Sequence, residues 1–157
     1  MQDFLSFVRQ LDKDAKEVFK IIWNNPLVTK NTVMKFTGMP LSTLNRVMKP
    51  LLEEKAVVPA GTDESTGGRK PLLYDINPMK ACILGIDISR TYTATVISNL
   101  KAEILSERRF TMDETSLPEV TVSNILESFQ DMLSETGIRR EDVIGAGLGA
   151  VGPLDRK

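Results

Sequence analysis

The chain has 157 residues, a formal net charge of −1, no histidine and a single cysteine, Cys82. That length holds one ordinary domain or two small ones. The missing histidine excludes triads with a histidine base, and one cysteine excludes an internal disulfide or a cysteine-built zinc site. No run reaches the length of a membrane span, and Met1-Gln2-Asp3-Phe4 lacks the regions of a signal peptide. A cytoplasmic protein without metal or cofactor is expected.

In chain order, Phe4, Val8, Leu11, Ala15, Val18 and Ile22 recur at spacings of four and three, which is one face of a helix. Asn24-Asn25-Pro26 ends it. Thr29 is a good N-cap for a short second helix containing Val33, Met34 and Phe36, and Gly38 supplies the left-handed residue that closes it. Pro40 fits the first turn of a third helix, whose buried stripe is Leu44, Val47, Met48, Leu51 and Leu52. Pro50 lies inside that helix and removes one backbone hydrogen bond, so a kink or tightened turn is expected near Arg46–Pro50.

The opposite face of the third helix offers Ser42, Thr43, Asn45, Arg46 and Lys49. Such side chains hydrogen-bond phosphates and base edges in a major groove. Every surface helix also has a solvated polar face. Three helices, a glycine turn and a following hairpin together favour DNA recognition over that plainer reading.

Val57-Val58-Pro59-Ala60 and Leu72-Leu73-Tyr74-Asp75-Ile76 read as two strands of a hairpin. Its tip carries Gly67, Gly68, Arg69 and Lys70 before Pro71. Glycines let a loop approach closely, and a basic tip suits a nucleic-acid backbone or a minor groove. A solvated surface hairpin is the alternative. Asn77-Pro78 marks a boundary near residue 80. Residues 1–80 hold 12 Lys+Arg and 9 Asp+Glu, a net +3, while residues 81–157 hold 8 and 12, a net −4. A mildly basic head on an acidic body fits a DNA-binding module joined to a different one.

Cys82 through Ile88 is a short apolar run suited to a buried strand. Tyr92–Ser98 and Glu103–Phe110 read as further strands, joined by turns at Ser89-Arg90-Thr91 and Asn99-Leu100-Lys101. Pro118 opens a helix with an apolar face of Val122, Ile125, Leu126, Phe129 and Leu133, and Gly137 ends it. Val143–Leu148 is a fourth strand, followed by Gly149-Ala150-Val151-Gly152-Pro153.

Three motifs carry a resemblance to the ROK family of repressors and sugar kinases, most closely to its transcriptional repressors, including the xylose-type regulators. Gly67-Gly68-Arg69-Lys70-Pro71 resembles the family's wing. Gly85-Ile86-Asp87-Ile88 resembles its first phosphate-loop strand, and Gly147-Leu148-Gly149-Ala150-Val151-Gly152-Pro153-Leu154-Asp155 its Gly-x-Gly-x-Pro-Gly-Pro-x-Asp loop. The resemblance runs from about residue 15 to the end.

It implies an α+β chain. A winged helix-turn-helix DNA-binding domain over residues 1–80 precedes a partial actin-like (ribonuclease-H-like) α/β subdomain over 81–157. The family's catalytic aspartate, its Cys/His zinc motif and most of its sugar contacts belong to segments that do not occur in this sequence, so the resemblance implies an N-terminal piece of a longer protein. Ser89-Arg90 stands where family kinases carry Gly-Gly for phosphate approach. Asp87 either approaches a metal–nucleotide or caps the Ser89–Thr91 turn, and the departure favours the second. Gly147, Gly149 and Gly152 either line a sugar cleft or permit a tight turn.

The implied function is a non-enzymatic, sequence-specific repressor of carbohydrate-utilisation genes. Its partners are double-stranded DNA, a sugar effector and a second copy in the intact protein. The rivals are a sugar kinase with an extra N-terminal domain and a winged helix used for protein contact.

Overall fold

The computed structural model describes residues 4–63, 70–113 and 117–151. The chain divides into two compact units, Met1–Lys80 and Ala81–Lys157.

The first unit begins with α1 (Phe4–Gln10) and α2 (Lys13–Asn24). The sequence pattern predicts one helix here, but Asp12 divides it. Its Oδ1 accepts the Ala15 N–H at 2.8 Å, which caps α2 and ends the helical path from α1. A two-residue strand, β1 (Val28–Thr29), leads into α3 (Lys30–Thr37). Thr29 Oγ1 accepts the Thr32 N–H at 3.1 Å, and Gly38 closes α3 at φ 69°. These two ends are the predicted ones.

Pro40 is the N-cap of α4 (Leu41–Glu53). Pro50 has no N–H to offer the Arg46 carbonyl, yet α4 continues to Glu53. The turn that tightens is the last one: Lys55 takes φ 54°, its N–H reaches the Leu52 carbonyl, and the Ala56 N–H reaches the Leu51 carbonyl at 2.9 Å. Val18 and Ile22 of α2, Val33 of α3, and Leu44, Val47, Met48 and Leu51 of α4 are buried together with Val57 and Ile76. Phe19 stands edge-on to both Phe4 and Trp23.

β2 (Val57–Thr62) and β3 (Leu72–Ile76) form an antiparallel hairpin, irregular between Pro59 and Gly61, and β1 adds to the far side of β3. The Asp63 N–H donates to the Pro71 carbonyl at 2.9 Å and closes the described end of the hairpin. Asn77 N–H to the Ala56 carbonyl and a Lys80–Glu54 ion pair tie down the end of this unit.

The second unit is a four-stranded sheet with a helix. Its strands are β4 (Cys82–Ile88), β5 (Tyr92–Asn99), β6 (Ile104–Thr111) and β7 (Val143–Ala150), in the order β6-β5-β4-β7. β4, β5 and β6 meander antiparallel, and α5 (Pro118–Thr136) carries the chain back to lay β7 parallel to β4. Cys82, Leu84 and Ile97 pack with Met132 of α5, and Phe129 and Leu133 flank that core.

The expected apolar face of α5 needs correction. Thr121, Ile125 and Met132 are its buried positions, whereas Val122 and Leu126 are each 55% exposed. Ile125 is buried and Phe129 and Leu133 flank the core as expected, so the correction is confined to Val122 and Leu126 near the start of the helix. Among the described residues no helix is long and apolar enough to cross a membrane.

Candidate nucleic-acid interface

α4 sorts its side chains cleanly. Ser42, Asn45, Arg46 and Lys49 are exposed, at spacings of three, one and three, so they share one face. Thr43 is half-buried and lies on the flank of that face. Leu44, Val47, Met48 and Leu51 hold the helix to α2 and α3 from the other side. The Gly38–Pro40 turn sets the start of α4, because a left-handed residue followed by a proline reverses the chain within a few residues.

Two of the polar side chains have neighbours. Lys49 Nζ lies 3.8 Å from Glu53 Oε1, an exposed pair one helical turn apart. Such a pair is weak enough for a phosphate to displace the carboxylate. Asn45 Oδ1 accepts a hydrogen bond from Lys30 Nζ at 2.7 Å. Lys30 is the first residue of α3, and its ammonium also lies 5.4 Å from the centroid of the Tyr74 ring in β3.

The sequence reading missed two residues of this face. Leu41, 49% exposed, opens α4 one turn before Asn45 and offers apolar contact of the kind that meets a thymine methyl. Lys30 had a readable signal: a cation in the first helical turn opposes the macrodipole, so its place calls for another reason.

Of the hairpin residues, Lys70 is exposed beside Pro71. Gly67, Gly68 and Arg69 lie outside the described residues. The described strands bring the chain up to Asp63 and take it back from Lys70.

In the second unit, Asp87 is exposed at the end of β4, paired with Ala94 of β5 and Gly149 of β7. Tyr92 Oη donates to Asp87 Oδ2, and the Arg109 guanidinium stacks 3.6 Å from the centroid of the Tyr92 ring. The turn itself is closed by the Ser89 N–H and the Tyr92 carbonyl at 2.8 Å, so Asp87 braces it through a side chain. Gly147 and Gly149 lie within β7, so the tight-turn reading fails for both. A Cβ on Gly147 would meet nothing within 4 Å, and one on Gly149 would meet Asp87 Oδ1 at an ordinary 3.6 Å. Gly152, Pro153, Leu154 and Asp155 lie outside the described residues. Among the described residues no cluster of three acidic, cysteine or histidine side chains forms a metal site.

No protein-family model matches this chain. It is 24% identical over 140 residues to the xylose repressor of Caldicellulosiruptor bescii, a match covering 89% of this chain and 35% of that protein. It is 23% identical over 151 residues to the xylose repressor of Bacillus subtilis, covering 96% of this chain and 38% of that protein. Among solved structures, it superposes with a TM-score of 0.60 and 14% identity on a ROK family transcriptional regulator described as a homolog of the E. coli MLC protein. That match covers 93% of this chain and 36% of the other. The chain thus spans little more than a third of the length of these proteins. The resemblance to ROK-family repressors is borne out: these two curated relatives are xylose repressors, and the fold is that of a ROK regulator.

Proposed function

We propose that this chain is the DNA-binding head and part of the effector-sensing body of a transcriptional repressor. The observation that carries the reading is the face of α4. Ser42, Asn45, Arg46 and Lys49 project together from a helix fixed by a glycine turn, in a chain whose relatives include xylose repressors.

In this reading α3 and α4 are a helix-turn-helix, α4 enters the major groove, and the β2–β3 hairpin is the wing. Ser42, Asn45 and Arg46 reach base edges, while Thr43 and Lys49 contact the backbone. Lys70 contacts phosphate, and Gly67 and Gly68 bring Arg69 into the adjacent minor groove. Phosphate contacts set position and affinity, and base contacts set sequence.

The genes controlled are those of carbohydrate utilisation, and the effector is a sugar bound by the body of the intact, dimeric protein in the cytoplasm. A sugar releases DNA only if it binds two states of the body with different affinity. The reading assigns no catalysis to Asp87.

Selection from a randomised duplex DNA pool tests the proposal. The chain should enrich a defined sequence, and its affinity should fall steeply with salt as counterions return to the phosphates. Enrichment of no sequence, or binding indifferent to salt, would refute it.

A further inference from the structure

We infer that Lys30 and Asn45 read one base together, that Lys30 decides which base Asn45 accepts, and that the base is guanine. This rests on the DNA-binding reading of α4. It adds a residue from a different helix and a specific base.

A lysine ammonium has three donors and no acceptor. Its 2.7 Å contact with Asn45 therefore fixes the amide orientation: Oδ1 faces Lys30, and the Nδ2 donors face away. An unrestrained asparagine suits adenine, because Oδ1 accepts from N6 while Nδ2 donates to N7. With the ammonium against Oδ1, a second donor brought to that oxygen would meet a positive charge.

Together Lys30 and Asn45 instead present donors: the Nδ2 hydrogens and the remaining ammonium hydrogens. Guanine offers two adjacent acceptors, N7 and O6, on its major-groove edge. A donor-only surface fits that edge and rejects the amino groups of adenine and cytosine.

The lysine is held in place for this. Its backbone is fixed at the start of α3, directly after the Thr29 cap. Its ammonium lies over the ring of Tyr74, a residue only 7% exposed and paired with Val28 in the sheet. The cation is thus held between an anchored ring and the α4 face, which favours one position of a flexible side chain.

The test is selection from the same randomised duplex pool with four proteins: wild type, Asn45→Ala, Lys30→Met and Lys30→Ala. Asn45→Ala identifies the base position that Asn45 reads, as the one where preference is lost. Wild type should require guanine there. Both Lys30 variants should move that position toward adenine, by roughly tenfold for a bidentate contact, and leave the others unchanged. Two Lys30 substitutions guard against one that misfolds, and circular dichroism checks each.

An adenine preference in wild type would overturn the inference. So would Lys30 variants that lose affinity evenly across sequences, since that is the signature of a phosphate contact. If wild type enriches no sequence, the DNA-binding reading fails, and this inference falls with it.

Discussion

Tyr92 Oη donates to Asp87 Oδ2 at 3.1 Å, so the carboxylate at the end of β4 is tied to the turn that follows it. The Ser89 N–H, in the segment where a phosphate loop would present free amides, bonds the Tyr92 carbonyl at 2.8 Å. A phosphate cradle needs free backbone donors and close approach, and Ser89 and Arg90 place side chains where glycines would give access.

Magnesium–ATP should therefore give no saturable heat in calorimetric titration of this chain, and Tyr92→Phe should not create binding. Micromolar binding that Asp87→Asn abolishes would show that Asp87 serves a nucleotide after all.

A narrow A·T-rich minor groove concentrates negative potential and favours an inserted arginine. Arg69→Ala should weaken binding most on sites with A·T-rich flanks, and Arg69→Lys should restore only part, because an ammonium is more hydrated and lacks the planar fork. Lys70→Ala should lower affinity on every sequence and reduce the salt slope by roughly one. Equal losses at Arg69 on A·T and G·C flanks would refute minor-groove insertion.

Cys82 supplies a pH test. Burial raises its thiol pKa, and the nearby Asp142 carboxylate raises it further. The folded thiol therefore resists ionisation while the unfolded one yields at its ordinary value. Its contribution to stability is therefore fully present below that ordinary value and is lost as pH rises through the raised one. The denaturation midpoint of the second unit should fall more steeply with rising alkaline pH in wild type than in Cys82→Ala. Iodoacetamide should label the native thiol slowly. Parallel pH curves for the two proteins would contradict this.

Much of this structure was legible because its signals are local. Thr29 and Gly38 bound α3 through bonds spanning three or four residues, and the stripe Leu44, Val47, Met48, Leu51 fixes the orientation of α4. Distant causes were harder to read. β1 exists only because Val28 and Thr29 pair with Tyr74 and Leu73, far along the chain. The break at Asp12 was hidden because apolar spacing runs on across it, although an aspartate cap was there to be seen. Val122 and Leu126 look like core by residue type yet stay exposed, while Phe129, Met132 and Leu133 farther along the helix pack with the sheet. The exposed polar residues of α4 followed from helical period alone. The Lys30–Asn45 bond joins positions fifteen apart on different helices, which no periodicity reveals.

The central claim is that the α4 face reads DNA sequence, and the triple variant Ser42→Ala/Asn45→Ala/Arg46→Ala tests it most directly. These side chains are exposed, so the fold should survive, as far-UV circular dichroism would record. On the selected site, Arg46→Ala alone should cost about 1–3 kcal/mol if it grips a guanine. The triple variant should bind selected and scrambled duplexes equally, retaining only salt-sensitive affinity. Unchanged affinity of the folded triple variant for the selected site, measured at the same salt, would contradict the account.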